Sequence, residues 1–343
     1  MLHRGRRAVE KSRVTITDIA RAAGTSTATV SNYLNGKWDK LGEKTRTRIA
    51  TVIHDLGYVP NAQAQVLTGK QTHVIAVLIL DNSNIWAGQI FQGIEQVALE
   101  CGYQTVICNT DFNTQTESLC VEKMLSLGVD GFIVQPTTNF KAISDRIQRA
   151  GKAVVFYDCN PYNLASSWVK TNLYDGIYSA ITTCVEHGYQ DFVTIGARHA
   201  SMRTRIERHE GFADALGAHG IGFQYLEISH TAPSASDLTR HFQLKLNPAH
   251  KTLIFVENQW ALARVYQALK PMAHLIPKQI GLLGMNNQDW TGITSPSIST
   301  VVEPVREVGR LACTMLLDQL ENGTSNVRQE ILNCSVNWLE STL

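Results

Sequence analysis

This 343-residue chain is short of the features that mark enzymes, redox proteins and membrane proteins. Its 7 cysteines lie scattered with no C-x-x-C pair, so neither a zinc site nor a redox dithiol is signalled. An odd cysteine count without a signal peptide fits a reducing cytoplasm. H-E-x-x-H, G-x-S-x-G, P-loop and G-x-G-x-x-G patterns are absent, and the 11 histidines show no metal-ligand spacing. No catalytic residue, cofactor or metal is therefore expected. Uninterrupted apolar runs stay far below the roughly 20 residues that a membrane span requires. Net charge is also scarce, at +1.

That sum hides an asymmetry. Met1–Lys70 carries 12 Lys+Arg against 5 Asp+Glu, and the remainder carries 19 against 25. A basic head on an acidic body is expected where one end neutralises phosphates. Within the head, Ile16, Ile19, Ala20 and Ala23 recur at i, i+3, i+4 and i+7, the apolar face of one helix. Thr17 can N-cap this helix with Asp18 near the positive end of its dipole, and Gly24 can end it. Ser26 would cap a second helix in which Val30 and Leu34 face inward while Thr27, Ala28, Ser31 and Asn32 face out. A third amphipathic helix is expected over Glu43–Leu56, with Ile49, Val52, Ile53 and Leu56 as its apolar stripe and Lys44, Arg46 and Arg48 toward its exposed side. An ordinary helical hairpin would account for the first two helices. Together with the basic third helix, the pattern points to a helix-turn-helix whose second helix enters the DNA major groove.

Residues 15–70 resemble the headpiece of the LacI/GalR family of bacterial transcription regulators, through DIARAAGTSTATVSNYLNG, KTRTRI, GYVPN and AQAQVLTGK. The resemblance continues through nearly all of the chain. It implies that Thr27, Ala28 and Asn32 read bases, while Thr29 and Ser31, with the region of Asn61, contact or position phosphates; Thr17 and Ser26 belong to the same candidate surface. Asn can pair bidentately with adenine, and Thr or Ala can touch a thymine methyl. Helix capping and packing is the alternative for Thr29 and Ser31. Pro60–Lys70 would be a hinge, too short to be a stable helix alone, which folds when two copies pair in the minor groove. There Leu67 would wedge into the central base step, unless it packs on its dimer mate instead. Gln65 stands where many family members carry Arg. The plan implied is a basic arm over 1–14, a headpiece over 15–60, a hinge over 61–72 and an effector-binding and dimerisation domain over 73–343. The arm reads equally as a start codon assigned too early.

From His73 onward, strand-like runs such as VIAVLIL (74–80) and IGLLG (280–284) alternate with helices of ten or more residues, and a last helix runs from Pro304 to Asn322. Such alternation implies parallel sheets covered on both faces. The fold class is α/β: a three-helix headpiece and hinge helix, then a two-subdomain body like the periplasmic binding proteins. The resemblance implies crossovers between subdomains near 170–174, 299–304 and 324–330, with a ligand cleft at the carboxyl ends of the strands.

It also implies the cleft residues. Arg208, in R-x-x-G-F at the start of a helix over 208–219, would grip sugar hydroxyls or a carboxylate with its planar fork of donors. Asp158 and Asp81 end strands at contact positions. Trp86 would stack on a ligand at the cleft mouth, or else pack in the core or at a subunit interface. Asn286 stands where binders of neutral sugars often carry Asp, and Glu257 where they carry Asn. The charge argument therefore leaves a sugar and a sugar acid both open. The function implied is a cytoplasmic, nucleoid-associated, non-enzymatic regulator of the repressor type, controlled allosterically by that effector. It would be a homodimer, since no leucine-heptad tail follows SVNWLESTL, bound to near-palindromic double-stranded DNA and to no membrane. A soluble sugar-binding receptor without a regulatory role is the alternative, and the basic head argues against it.

Overall fold

The computed structural model describes residues 14–59, 71–159, 165–197, 203–229, 234–286, 290–323 and 327–342. The chain forms two compact units, Met1–Lys70 and Gln71–Leu343.

In the first unit, α1 (Ile16–Ala22), α2 (Thr27–Leu34) and α3 (Glu43–Leu56) enclose a small core, with a 3-10 turn at Trp38–Lys40. Ile19, Ala20, Ala23, Val30 and Ile49 are buried there, backed by Tyr33, Leu34, Val52 and Ile53. Leu56, expected in the apolar stripe, is instead 42% exposed because it lies at the last residue of α3, beyond that core. The N-cap of α1 is Thr15, not Thr17. The Asp18 amide donates to Thr15 Oγ1 at 3.3 Å and the Thr15 amide donates to Asp18 Oδ2 at 3.0 Å, a reciprocal capping box. Asp18 can serve Thr15, three residues back, but not Thr17, its neighbour. Those hydrogen bonds hold the Asp18 carboxyl below its usual range. Gly24, at φ +57°, ends α1 as expected. The Gly24 amide donates to Arg21 O and the Thr25 amide to Ala20 O, the paired bonds of a Schellman turn.

The second unit contains two six-stranded sheets. The first has the order β11-β5-β4-β3-β1-β2, from β1 (Val74–Ile79), β2 (Gln104–Asn109), β3 (Gly131–Val134), β4 (Ala153–Tyr157), β5 (Ser167–Thr171) and β11 (Gln329–Leu332), all parallel. The second has the order β12-β10-β9-β8-β6-β7, from β6 (Asp191–Ala197), β7 (Gln224–Ile228), β8 (Thr252–Val256), β9 (Ile280–Met285), β10 (Ser299–Val302) and β12 (Ser335–Asn337), parallel except for β12 against β10. The connecting helices are α4 (Ile85–Glu100), α5 (Thr114–Leu127), α6 (Phe140–Arg149), α7 (Leu173–Glu186), α8 (Arg203–Gly217), α9 (Ala235–Lys245), α10 (Gln259–Leu269) and α11 (Val305–Asn322). Apolar clusters cover both faces of each sheet, as parallel strands require.

The chain passes between the sheets after β5, after β10 and after β11. The third passage was expected near 324–330. It lies at Asn333–Cys334, because Gln329–Leu332 still pairs with β5 in the first sheet. Arg208 lies inside α8 rather than at its start, since the helix begins at Arg203. Helices α4 and α11 touch backbone to backbone: a Cβ at Gly93 would collide with the Arg306 carbonyl, and one at Gly309 with the Ile90 carbonyl. Gly93→Ala should therefore destabilise the chain by about 1–3 kcal/mol through overpacking. Gly88→Ala, on the same helix and with no described atom within 4 Å of its Cβ, should stabilise it by roughly 0.5–1 kcal/mol. Urea denaturation of the two variants checks the opposite signs.

Candidate functional site

The exposed side of α2 carries the residues expected to face DNA. Ser26 caps α2, its Oγ accepting from the Thr29 amide at 3.1 Å and sharing a 2.8 Å hydrogen bond with Thr29 Oγ1. Ser31 Oγ accepts from Asn35 Nδ2 at 3.1 Å. The hydroxyls of Thr29 and Ser31 are thus occupied within the helix, while Thr27 and Ala28 are exposed and Asn32 is half-buried. Thr17 is exposed in the first turn of α1. Asn61, Gln65 and Leu67 lie outside the described residues.

In the second unit a cleft of about 750 Å³ opens at the carboxyl ends of the strands of both sheets. Asp81, Trp86, Asp158, Arg208 and Asn286 all line it. Each sheet builds its wall in the same way, with an amide residue on the central of three strands reaching sideways to a carboxylate. Gln135, following β3, accepts from the Leu80 amide at 3.2 Å and donates from Nε2 to Asp158 Oδ2 at 2.8 Å. Asn286, following β9, donates from Nδ2 to Glu303 Oε1 at 3.0 Å and accepts from the Glu303 amide at 3.1 Å. Asp158 and Asn286 both take left-handed backbone, at φ +58° and +63°, a region where Asp and Asn are the non-glycine residues most at ease.

Burial pushes the Asp158 carboxyl up to about 7, and the neighbouring Glu303 charge adds to the rise; the Gln135 hydrogen bond and Arg208 oppose it without prevailing. Arg208 is held from behind, donating from Nε to Thr204 O at 3.1 Å and from Nη1 to Glu257 O at 2.5 Å. Arg205 stands beside it in the lining, and its burial and the Arg208 charge lower its pKa. Asp81 is ordered by Ser83, whose amide and hydroxyl donate to its Oδ1 at 2.9 and 2.6 Å. Trp86 both lines the cleft and stacks on Tyr157, ring centroids 6.3 Å apart.

Glu257 does not put a carboxylate into the cleft. It is 2% exposed and faces the other way, accepting from Thr194 Oγ1 at 2.8 Å and pairing with His209 Nδ1 at 3.1 Å. Its backbone carbonyl is the acceptor for Arg208 on the cleft side. The charge beside Asn286 comes instead from Glu303. Behind this wall Lys170 of β5 and Glu207 of α8 form a buried ion pair at 2.5 Å, joining the two halves of the unit. Among the described residues no group of three or more His, Cys, Asp or Glu is arranged to hold a metal. No described helix is long and apolar enough to cross a membrane.

Residues 15–61 match the model of bacterial regulatory proteins of the lacI family, and residues 181–342 match that of the periplasmic binding protein-like domain. In these two matches, in this order, the chain is similar to regulators of the lacI family. Similar proteins include the HTH-type transcriptional regulator PtxS of Pseudomonas putida, 28% identical with 93% of each chain covered. The ribose operon repressor of Escherichia coli is 27% identical over 90% of this chain and 94% of its own. Among solved structures, the lac repressor dimer bound to operator and the anti-inducer ONPF has a TM-score of 0.81 at 22% identity, covering 97% of this chain and 100% of the other; it supports the fold.

Gln135, Arg205 and Glu303 were not anticipated from the sequence. Gln135 and Glu303 follow strand ends, the same signal that gave Asp81 and Asp158. For Glu303 the signal was hidden because β10 is only 4 residues long.

Asp158 gives a pH signature. Its folded value, about 7, lies above the ordinary 3.8, so the native state holds a proton that the unfolded state releases. Stability from this group is present below pH ~4 and is lost as pH rises through ~7. Asp158→Asn should therefore melt higher than the parent at pH 8, with the difference shrinking at pH 5. Thermal melts of the unliganded proteins at the two pH values check this.

Proposed function

We propose that this chain is a transcription repressor whose operator affinity is set by a sugar or sugar acid bound in the cleft. The observation that carries the reading is the cleft wall itself. Alternating amides, carboxylates and an arginine beside Trp86 can donate to and accept from ring hydroxyls while an aromatic face meets the C–H face. The name of the ribose operon repressor places a sugar-linked regulator among the relatives, and the lac repressor structure joins the same fold to operator DNA as a dimer.

Residues 15–60 act as the headpiece, 61–72 as the hinge and 73–343 as the effector and dimer domain. Thr27, Ala28 and Asn32 read bases, while Ser26, Thr29 and Ser31 mainly shape α2 and bring its N-terminus to the phosphates. Thr17 and Asn61 add backbone contacts, and Gln65 and Leu67 engage the minor groove. Two copies then meet a near-palindromic site, half-site spacing mirroring the two-fold axis. The dimer face is the edge strand β2, where Val106 and Ile107 are exposed, as are Leu99 of α4 and Leu119 of α5. An apolar strand edge of this kind calls for a partner. The protein acts in the cytoplasm, at the nucleoid, and turns over no substrate.

Selection of random duplexes by the full-length protein at physiological salt should enrich a palindrome. Enrichment of no site, with or without pooled sugars, would sink the regulator reading. Arg208→Ala should weaken binding of the cognate sugar by roughly 10- to 100-fold, as removal of a charged hydrogen-bonding group does. Calorimetry measures it.

A further inference from the structure

Glu257 is gripped at both ends by a single helix. Its carbonyl accepts from Arg208 Nη1, and its carboxylate accepts from His209 Nδ1 at 3.1 Å. Arg208 and His209 are successive residues of α8 and so project about 100° apart. Arg208 meets the cleft, while His209 and Glu257 both lie outside its lining.

The carboxylate has a prepared seat behind the wall. Thr194 of β6, itself buried, donates from Oγ1 to Glu257 Oε1 at 2.8 Å. The other oxygen lies against Gly196 of the same strand, so closely that a Cβ there would collide with it. Gly196 is not among the residues at positive φ, so what a side chain there would cost is room. The His209 ring stands edge-on to Phe223 and Tyr225, with centroids 5.8 and 5.2 Å away, which fixes the direction of Nδ1. Tyr225 in turn donates to Gly196 O at 3.1 Å. A buried carboxylate needs partners of this kind. Its charge also reaches the second arginine of the lining: burial and then Arg208 draw the Arg205 pKa down, while Tyr225 and Glu257 oppose the fall.

We infer that His209 and Glu257 are positioning residues for Arg208, the buried pair holding the carbonyl to which that arginine is tied. The inference rests on the sugar reading above for the task of Arg208. It goes beyond that reading by placing a determinant of ligand affinity outside the cleft. It also gives a reason for glutamate where binders of neutral sugars carry asparagine. An asparagine, one methylene shorter, would leave the seat beside Gly196 unfilled.

Three variants of the full chain test this: His209→Leu, His209→Asn and Gly196→Ala. Calorimetry measures their binding of glucose, galactose, ribose, maltose and gluconate. Peptide mass spectrometry measures how fast phenylglyoxal modifies Arg208 with no sugar present. Leucine keeps bulk in place of the ring and loses the donor, whereas asparagine loses the ring and keeps an N–H near the place of Nδ1. His209→Leu should weaken the tightest-binding sugar by roughly 5- to 10-fold, the scale of one hydrogen bond to a charged group, and speed modification of Arg208. His209→Asn should recover most of the affinity and return the modification rate toward that of the parent. Gly196→Ala, which pushes the carboxylate from Thr194, should act in the same direction as leucine; should it fail to fold, the contrast between the two variants at 209 still decides. A mere packing role for the ring would make asparagine the more harmful substitution. That order, equal effects of the two, or no effect of either overturns the inference and leaves the sugar reading intact. If no sugar binds the parent, the sugar reading fails, and the modification rates at Arg208 still decide whether the pair positions it.

Discussion

In a parallel sheet the residues that follow neighbouring strands emerge side by side, about 4.8 Å apart, and that spacing organises both walls of the cleft. In the first sheet β4, β3 and β1 are neighbours, so Asp158, Gln135 and Leu80 form a row and the middle residue can bond to both sides. In the second sheet Asn286, following the central β9, bonds to Glu303 after β10 and on its other side donates to Gln259 Oε1 at 3.3 Å, beyond β8. An amide suits the centre because it carries a donor and an acceptor on separate atoms that can reach opposite sides. Aspartate at 286 would face Glu303 charge to charge, and it could not donate. The substitution that separates this chain from the expected neutral-sugar pattern thus has a local cause, whatever the charge of the effector.

The same spacing sets the electrostatic character of the chamber. Carboxylates held by amides stand on both walls, while Arg205 and Arg208 project from one helix between them. Asp158, drawn up to about 7 mainly by its burial, stands in the cleft wall. A ligand hydroxyl at that point meets a group that can either accept or donate near neutral pH, which widens the hydroxyl stereochemistry the cleft accommodates.

Much of this was legible beforehand. The third headpiece helix and Thr114–Leu127 end where their periodicity ends, since Gly57 and Gly128 follow at positive φ. The N-cap of α1 was misplaced by two residues because several hydroxyl and carboxylate side chains compete there, and only the reciprocal pair of Thr15 and Asp18 satisfies two amides at once. Strands β5, β10, β11 and β12 escaped notice. At three to five residues each, they carry too few side chains to show a period, and their pairing is decided by distant strands. Glu257 was assigned to the cleft because the resemblance sets it where binders of neutral sugars carry Asn. Yet successive residues of an extended chain point to opposite sides, so Asn258 faces the ligand space and Glu257 faces His209.

The buried bond between Lys170 and Glu207 carries one more consequence. Glu207 and Arg208 are adjacent on α8, yet one is anchored in the opposite half of the unit and the other faces the ligand. A buried pair is worth its desolvation only when its geometry is held closely. Any twist of α8 that tightens the arginine on a ligand therefore strains the anchor one residue away. The helix works like a key in a lock whose bow is fixed to the door: turning the bit moves the frame. The hold on a ligand and the bond that joins the halves are thus carried by neighbouring residues of one helix.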